Sequence, residues 1–244
     1  MNFAKSNGWK KIFFTNFNQV DPNHGSYDNN QWIEKQKHRV LNFKDEIEIS
    51  SERNKTLIDF CQKIQKSSLK ILDFGGGFGL TYLPLREKSI KTLDYHIVEV
   101  PGVAESASRF FENHNELKFH SEIPISLENL DIAHIRTSLQ YVEDWKKTLG
   151  DLARLNPDYL VLSHLNACEN PTYLSIQSWG DHEIPHWFIN KSEIVNFIIG
   201  LNFDLIADEP VEIDRNDPSW DSHREFPENL QMKYLQNLVF ERKK

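Results

Sequence analysis

The feature that most constrains this chain is the run Ile71-Leu72-Asp73-Phe74-Gly75-Gly76-Gly77-Phe78-Gly79. An apolar stretch (Leu69, Ile71, Leu72) leads into an acid and then into glycines at alternate positions, the pattern of a buried strand delivering a very tight turn. Glycine gives such a turn its freedom of φ and lets backbone approach a ligand with no Cβ between them. A helix expected from about Leu80 opens its unpaired amides toward the same spot.

Spacing separates the two nucleotide-type cofactors that use a strand, glycine loop and helix. A dinucleotide fingerprint wants G-x-G-x-x-G, and here Leu80 stands where the third glycine belongs. The turn reads D-x-G-x-G-x-G, with Asp73, Gly75, Gly77 and Gly79. A carboxylate before the first glycine suits a ligand with a positive group near the turn and sits poorly beside a pyrophosphate. The stretch resembles motif I of the class I S-adenosylmethionine (SAM) methyltransferases, whose cofactor lays its amino-acid moiety over the glycine turn. That resemblance implies a cofactor site built on Asp73, Gly75, Gly76, Gly77 and Gly79.

Tyr95-His96-Ile97-Val98-Glu99-Val100 reads as a second buried strand ending in an acid, closed by Pro101-Gly102. The acid falls where the next strand of a βαβ unit should finish. Under the resemblance Glu99 accepts the two ribose hydroxyls of the cofactor and Val100 covers the adenine face. Leu117 to His120 is a short third strand, and Ser121 or Glu122 just beyond it is placed by the same resemblance at the adenine amine. Leu130 to Arg136 gives a fourth strand whose end, Arg136 and Thr137, is expected near the reaction centre.

The rest of the chain completes an alternating pattern. Leu57, Phe60, Cys61 and Ile64 fall on one helical face; Val142, Trp145, Leu149 and Leu152 fall on another, closed by Pro157. Tyr159 to Leu165 is a fifth strand. Asn190 with Glu193 resembles a capping box before a helix buried through Ile194, Phe197, Ile198 and Leu201. Phe203 to Ala207 and Leu235 to Phe240 are the last strands, joined without a predicted crossover helix and therefore antiparallel. The fold expected is α/β: a Rossmann-like, doubly wound, mainly parallel seven-stranded sheet with an antiparallel last strand. Ligand then sits at the carboxyl ends of the strands, where Asp73, Glu99, Glu122, Arg136 and His164 map.

Residues 1–50 show no sustained period, although Phe3, Trp9, Phe13, Phe14, Phe17, Tyr27 and Trp32 lie among Asn, Gly and charge. They read as an extension covering the site, with residues 51–244 as the SAM-binding domain. Its aromatics either pack on the core, the commoner fate, or line a substrate pocket.

Composition excludes several classes. A formal charge of -8 argues against a broad phosphate-binding surface and so against nucleic acid as main substrate. The two cysteines, Cys61 and Cys168, suggest neither a disulfide framework nor a metal site, and a reducing compartment follows. Met1 to Lys11 lacks an apolar core, and no run approaches the length of a membrane span. The expectation is a cytoplasmic protein.

Ile71 to Gly79 with Leu80-Thr81-Tyr82, then Ile97-Val98-Glu99, then Ser138-Leu139-Gln140-Tyr141, resemble more narrowly a bacterial family of SAM methyltransferases associated with surface-polysaccharide loci, including lipopolysaccharide O-antigen. The resemblance implies methyl transfer from SAM, with S-adenosylhomocysteine (SAH) leaving, to a sugar hydroxyl on a small-molecule, nucleotide-sugar or glycan acceptor. An alcohol must lose its proton, and His182 and His186 in Trp179 to Trp187 are the candidate bases. Their i, i+4 spacing invites a metal, yet Pro185 breaks the helix this requires and no third ligand is evident, so no metal is expected. Trp179 and Trp187 either stack on a sugar or anchor the core. The alternatives are an N-methyltransferase acting on an amino sugar or another small amine, which needs no strong base, and a non-catalytic SAM-binding scaffold. An NAD-dependent oxidoreductase is disfavoured by Leu80 and Asp73.

Overall fold

A computed structural model describes residues 8–21, 25–88, 91–213 and 220–244, so Phe3 lies outside the described residues. The chain enters through a short strand, β1 (Gly8–Trp9), and three helices, α1 (Asn30–Leu41), α2 (Phe43–Arg53) and α3 (Lys55–Lys63). The first two helices depart from the irregular extension expected of this region. Gln36 is buried on α1 together with Val40, so a polar residue occupies the buried face and interrupts the apolar stripe that would have announced the helix.

Strand and helix then alternate: β2 (Ser68–Phe74), α4 (Tyr82–Glu87), β3 (Thr92–Val98), α5 (Pro101–Phe110), β4 (Leu117–His120), β5 (Ile132–Arg136), α6 (Trp145–Arg154) and β6 (Tyr159–Leu165). After β7 (Ala167–Cys168) come β8 (Tyr173–Trp179), β9 (His182–Asn190), α7 (Lys191–Gly200), β10 (Phe203–Glu212), α8 (Asp221–Arg224) and β11 (Tyr234–Arg242). The main sheet has seven strands in the order β10-β11-β6-β5-β2-β3-β4. β2 runs parallel to both β3 and β5, β11 runs antiparallel to both β6 and β10, and this is the class I methyltransferase fold.

The two sheet faces follow the period of two along β2. Leu69 and Ile71 pack with Leu57, Cys61, Tyr82, Tyr95 and Val103 on one side, while Leu72 packs with Ala133, Trp145, Leu149 and Ile194 on the other. Both faces are covered by helices, as a parallel sheet requires.

A second, four-stranded sheet, β1-β8-β9-β7, stands beside the strand ends. Its centre is the β8–β9 hairpin, which no strand pattern in the sequence announces. Strand β9 contains Pro185, which pairs across to Ile176 of β8. On its other side β9 meets β7 only at Ile189 and Asn190, so the missing N–H of Pro185 costs no ladder bond. Asn190 caps α7 by accepting from the Glu193 amide at 2.8 Å. The reciprocal half of the expected box is absent, because Thr172 accepts from the Asn190 amide and Glu193 turns to Lys146 and Thr172. No helix among the described residues is long and apolar enough to cross a membrane.

Candidate functional site

The glycine turn leaves β2 with Gly75 at φ +73°, Gly77 at +59° and Gly79 at +80°. A Cβ on Gly75 would lie 2.2 Å from that of Ser138, and one on Gly76 would lie 2.6 Å from Asp73 Oδ2. The turn is thus pinned from both sides. The Ser138 hydroxyl fastens it further by donating to the Phe74 carbonyl at 2.6 Å.

In front of Gly75 opens a cleft of about 430 Å³, walled by Phe74, Val98, Glu99, Val100, Pro101 and Ser121 from the first strands and by Arg136, Thr137, Ser138, Tyr141 and Val142 from the region after β5. Gly25, Ser26, Tyr27 and Trp32 close it from the N-terminal segment, and Ile184 and Pro185 close it from β9. This is the carboxyl end of the parallel strands, where ligands bind in open α/β sheets.

Glu99 is the acid on this wall. Its Oε1 accepts from the Gly77 amide and its Oε2 from the Val100 amide, both at 3.0 Å. Burial pushes its carboxyl up to about 7, against the pull of those two amides and with help from Asp73 and Asp28. Each carboxylate oxygen keeps lone-pair capacity beyond its one backbone bond. An acid raised by burial and short of donors fits a ligand that brings hydroxyl donors, as a ribose diol does.

Asp73, placed by its motif at the ligand, is fully buried and is not part of the cleft wall. Its Oδ1 lies 2.8 Å from His134 Nδ1, its Oδ2 accepts from the Tyr95 hydroxyl at 3.0 Å, and His134 Nε2 lies 3.1 Å from Ser163 Oγ. The acid therefore ties β2 to β3, β5 and β6 beneath the turn. Gly75 is on the wall; Gly76, Gly77 and Gly79 stand behind it. Val100 lines the cleft, and of the pair after β4 it is Ser121 that does so, with Glu122 exposed outside it.

Arg136 lines the cleft, its Nε donating to the main-chain oxygen of Arg53 at 3.2 Å. Burial, then Arg53 and Arg39, push its guanidinium down to about 10. Thr137 has φ +49°, a left-handed conformation rare for a β-branched residue, and His164 at the end of β6 has φ +52°. Such strain gathers where a site fixes the backbone. Thr137, Ser138 and Tyr141 were legible only as the stretch after a strand; no residue type marks them.

The two candidate bases are not brought to the cleft; between them β9 presents Ile184 and Pro185 instead. His182 stacks on Trp179 with ring centroids 6.2 Å apart. His186 is fully buried among Trp9, Tyr141 and Phe188, with Nε2 3.2 Å from Asn166 Nδ2 and Nδ1 unpaired. Burial, then His223, push it down to about 3, so it stays neutral and is a weak base. Of the two tryptophans, Trp187 is buried in the core and donates to the Val142 carbonyl, while Trp179 packs on Trp32 and Tyr27. Among the described residues no three His, Cys, Asp or Glu side chains group to hold a metal ion.

Residues 45–207 match a family model described as a methyltransferase domain. No curated protein matches the sequence. Solved structures with the same fold include magnesium protoporphyrin IX methyltransferase from Synechocystis PCC 6803 with bound SAM, at 14% identity over 89% of this chain and 93% of that one, TM-score 0.56. A second is 1,6-didemethyltoxoflavin-N1-methyltransferase from Burkholderia thailandensis with its substrate and SAH, at 12% identity over 92% and 94%, TM-score 0.55. An S-adenosylmethionine-dependent methyltransferase from Clostridium acetobutylicum ATCC 824 matches at 10% identity over 86% and 99%, TM-score 0.56. With two thirds of its length matched and the sheet order of that fold, this chain belongs to the methyltransferase-domain family.

Proposed function

We propose that the cleft binds SAM and that the enzyme methylates a hydroxyl of a sugar, carried on a nucleotide or a glycan, during surface-polysaccharide biosynthesis in the cytoplasm. The observation that carries cofactor binding is Glu99: a buried acid at the end of β3, raised to about 7, facing a cleft that opens over the glycine turn. Gly75, Glu99, Val100 and Ser121 would hold the nucleoside, and Arg136 the amino-acid end. When bound, SAM supplies a methyl group already activated on a positive sulfur.

The work left to the chain is alignment and exclusion of water. The apolar wall of Phe74, Val98, Tyr27, Trp32, Ile184 and Pro185 keeps water out and sets the acceptor over the cleft. The segment from Gly25 to Trp32 is tied across the opening: the Gly25 amide donates to the Glu183 carbonyl at 2.7 Å, and Asp28 Oδ1 accepts from the Gly102 amide at 3.0 Å. The tyrosine hydroxyls of Tyr27 and Tyr141 both donate to Gln177 Oε1, at 3.1 and 2.8 Å, fixing two aromatic rings at the acceptor side.

Methylation of an amine is the second reading. It is favoured by the cleft wall, on which no imidazole stands among the described residues and the one carboxylate is assigned to the ribose. Mass spectrometry of surface polysaccharide from a deletion strain separates the readings. A loss of one methylene's mass per repeat, located on a sugar oxygen, supports the first; its location on nitrogen supports the second, and an unchanged polymer contradicts the first and an amino-sugar acceptor alike.

A further inference from the structure

Arg136 on the cleft wall and Arg53, which lines a separate groove, lack an acid. Arg136 ends β5 on the cleft wall with one N–H on the Arg53 carbonyl, and Arg53 ends α2 beside it. No carboxylate among the described residues lies within ion-pair distance of either guanidinium, although the chain carries 36 acids against 28 Lys and Arg. Asp73, whose charge reaches Arg136, is committed to His134 and Tyr95. Some cations are paired, Lys66 with Asp131 and Asp158 and Lys191 with Asp208, while Arg242 spends its N–H groups on the Pro157 and Ala153 carbonyls. The partly buried Arg136 guanidinium loses hydration with no counter-charge in return, whereas the exposed Arg53 keeps its hydration until an anion replaces it.

Arg53 also lines a groove of about 790 Å³ together with His164, Thr56 and Asn237. His164 is held in its left-handed conformation by Asn237, whose Oδ1 accepts from the His164 amide at 2.9 Å, and its Nδ1 is buried with no partner. His164 and Arg53 thus line one groove, and Arg136 on the cleft wall is joined to Arg53 through its main-chain oxygen. The groove also carries Glu52, Asp59, Glu209 and Glu212, so the basic patch is confined to this wall.

The inference rests on the cleft being the SAM site. SAM brings one carboxylate, balanced by its own ammonium, so it leaves at least one guanidinium without a counter-ion. We propose that Arg53, with His164 beside it and Arg136 left to the cofactor, binds the anionic group of the methyl acceptor, a phosphate or carboxylate. Guanidinium suits both groups, since its planar fork matches their paired oxygens. The enzyme is thereby selective for acidic acceptors, and neutral sugars and simple amines are poor ones.

Calorimetric titration of inorganic phosphate into the full chain saturated with SAH tests this. The expected result is phosphate binding to the SAH complex that Arg53→Gln weakens about tenfold, the effect of losing one charge-assisted pair, while the affinity for SAH is unchanged. Arg53 is exposed at a helix end, so the variant is expected to fold as the parent does. Competition between phosphate and SAH, with Arg53→Gln weakening SAH, would assign the anion to the cofactor's own carboxylate and overturn the proposal. Failure of phosphate to bind with or without SAH would overturn it too. Phosphate binding that depends on Arg53 in a protein that ignores SAH would refute the SAM reading and leave the anion site standing.

Discussion

Glu99 shows how one carboxylate links stability to binding. Its folded-state value, about 7, stands above the ordinary 4.5, so its contribution to stability is full below 4.5 and is lost as pH rises through 7. Glu99→Gln, neutral at every pH, should therefore be more stable than the parent above neutrality, and that gain should vanish as pH falls toward 4.5; urea melts across this range check it. Binding runs the other way. Under the proposed assignment, in which the ionised carboxylate accepts the ribose hydroxyls, SAH affinity should be flat above neutrality and fall by up to about tenfold per pH unit below it. The same titration series on Glu99→Gln should be weak and independent of pH. Gly75 makes a second point at this scale: with φ +73° and Ser138 in the way of a Cβ, Gly75→Ala should cost about 1–3 kcal/mol or more in denaturant melts.

At the scale of elements, capping gives a clean measure. Asn190 accepts from the Glu193 amide and donates to the Glu169 and Asn170 carbonyls, so Asn190→Ala should lower unfolding free energy by about 1–2 kcal/mol. That cap was legible, as were the glycine turn, the order of the strands and the acid closing β3, because each is a local pattern of apolar period and punctuation. The β8–β9 hairpin was not. Ile184 to Ile189 are buried without alternation, and Pro185, read only as a helix breaker, takes a place on β9 where its missing N–H costs no ladder bond. The candidate bases stand on that same strand: His182 and His186 belong to β9, which carries His186 into an aromatic core. The setting of Asp73 was hidden for another reason, since its partners His134 and Tyr95 lie on other strands that no spacing rule connects. The pair of arginines was equally hidden, because Arg53 and Arg136 are far apart in sequence and meet only where the Arg53 main-chain oxygen accepts from Arg136 Nε.

For the whole molecule, the sheet supplies rigidity and the second sheet with the N-terminal segment supplies a cover. Tyr27 and Trp32 reach the cleft only because residues 25–32 are held between Glu183 on β9 and Gly102 on α5. A ligand bound beneath that cover stabilises the folded state as a unit. SAH at about a hundred times its Kd should contribute about 2.7 kcal/mol, which for a domain of this size raises Tm by roughly 5–10 °C. The measurement that bears most directly on the central claim is calorimetric titration of the full chain with SAH and, separately, with NAD. One SAH per chain, no heat from NAD, and loss of most SAH affinity in Glu99→Gln is the result this account predicts. Tight binding of NAD with no response to SAH, or SAH affinity untouched by Glu99→Gln, would contradict it.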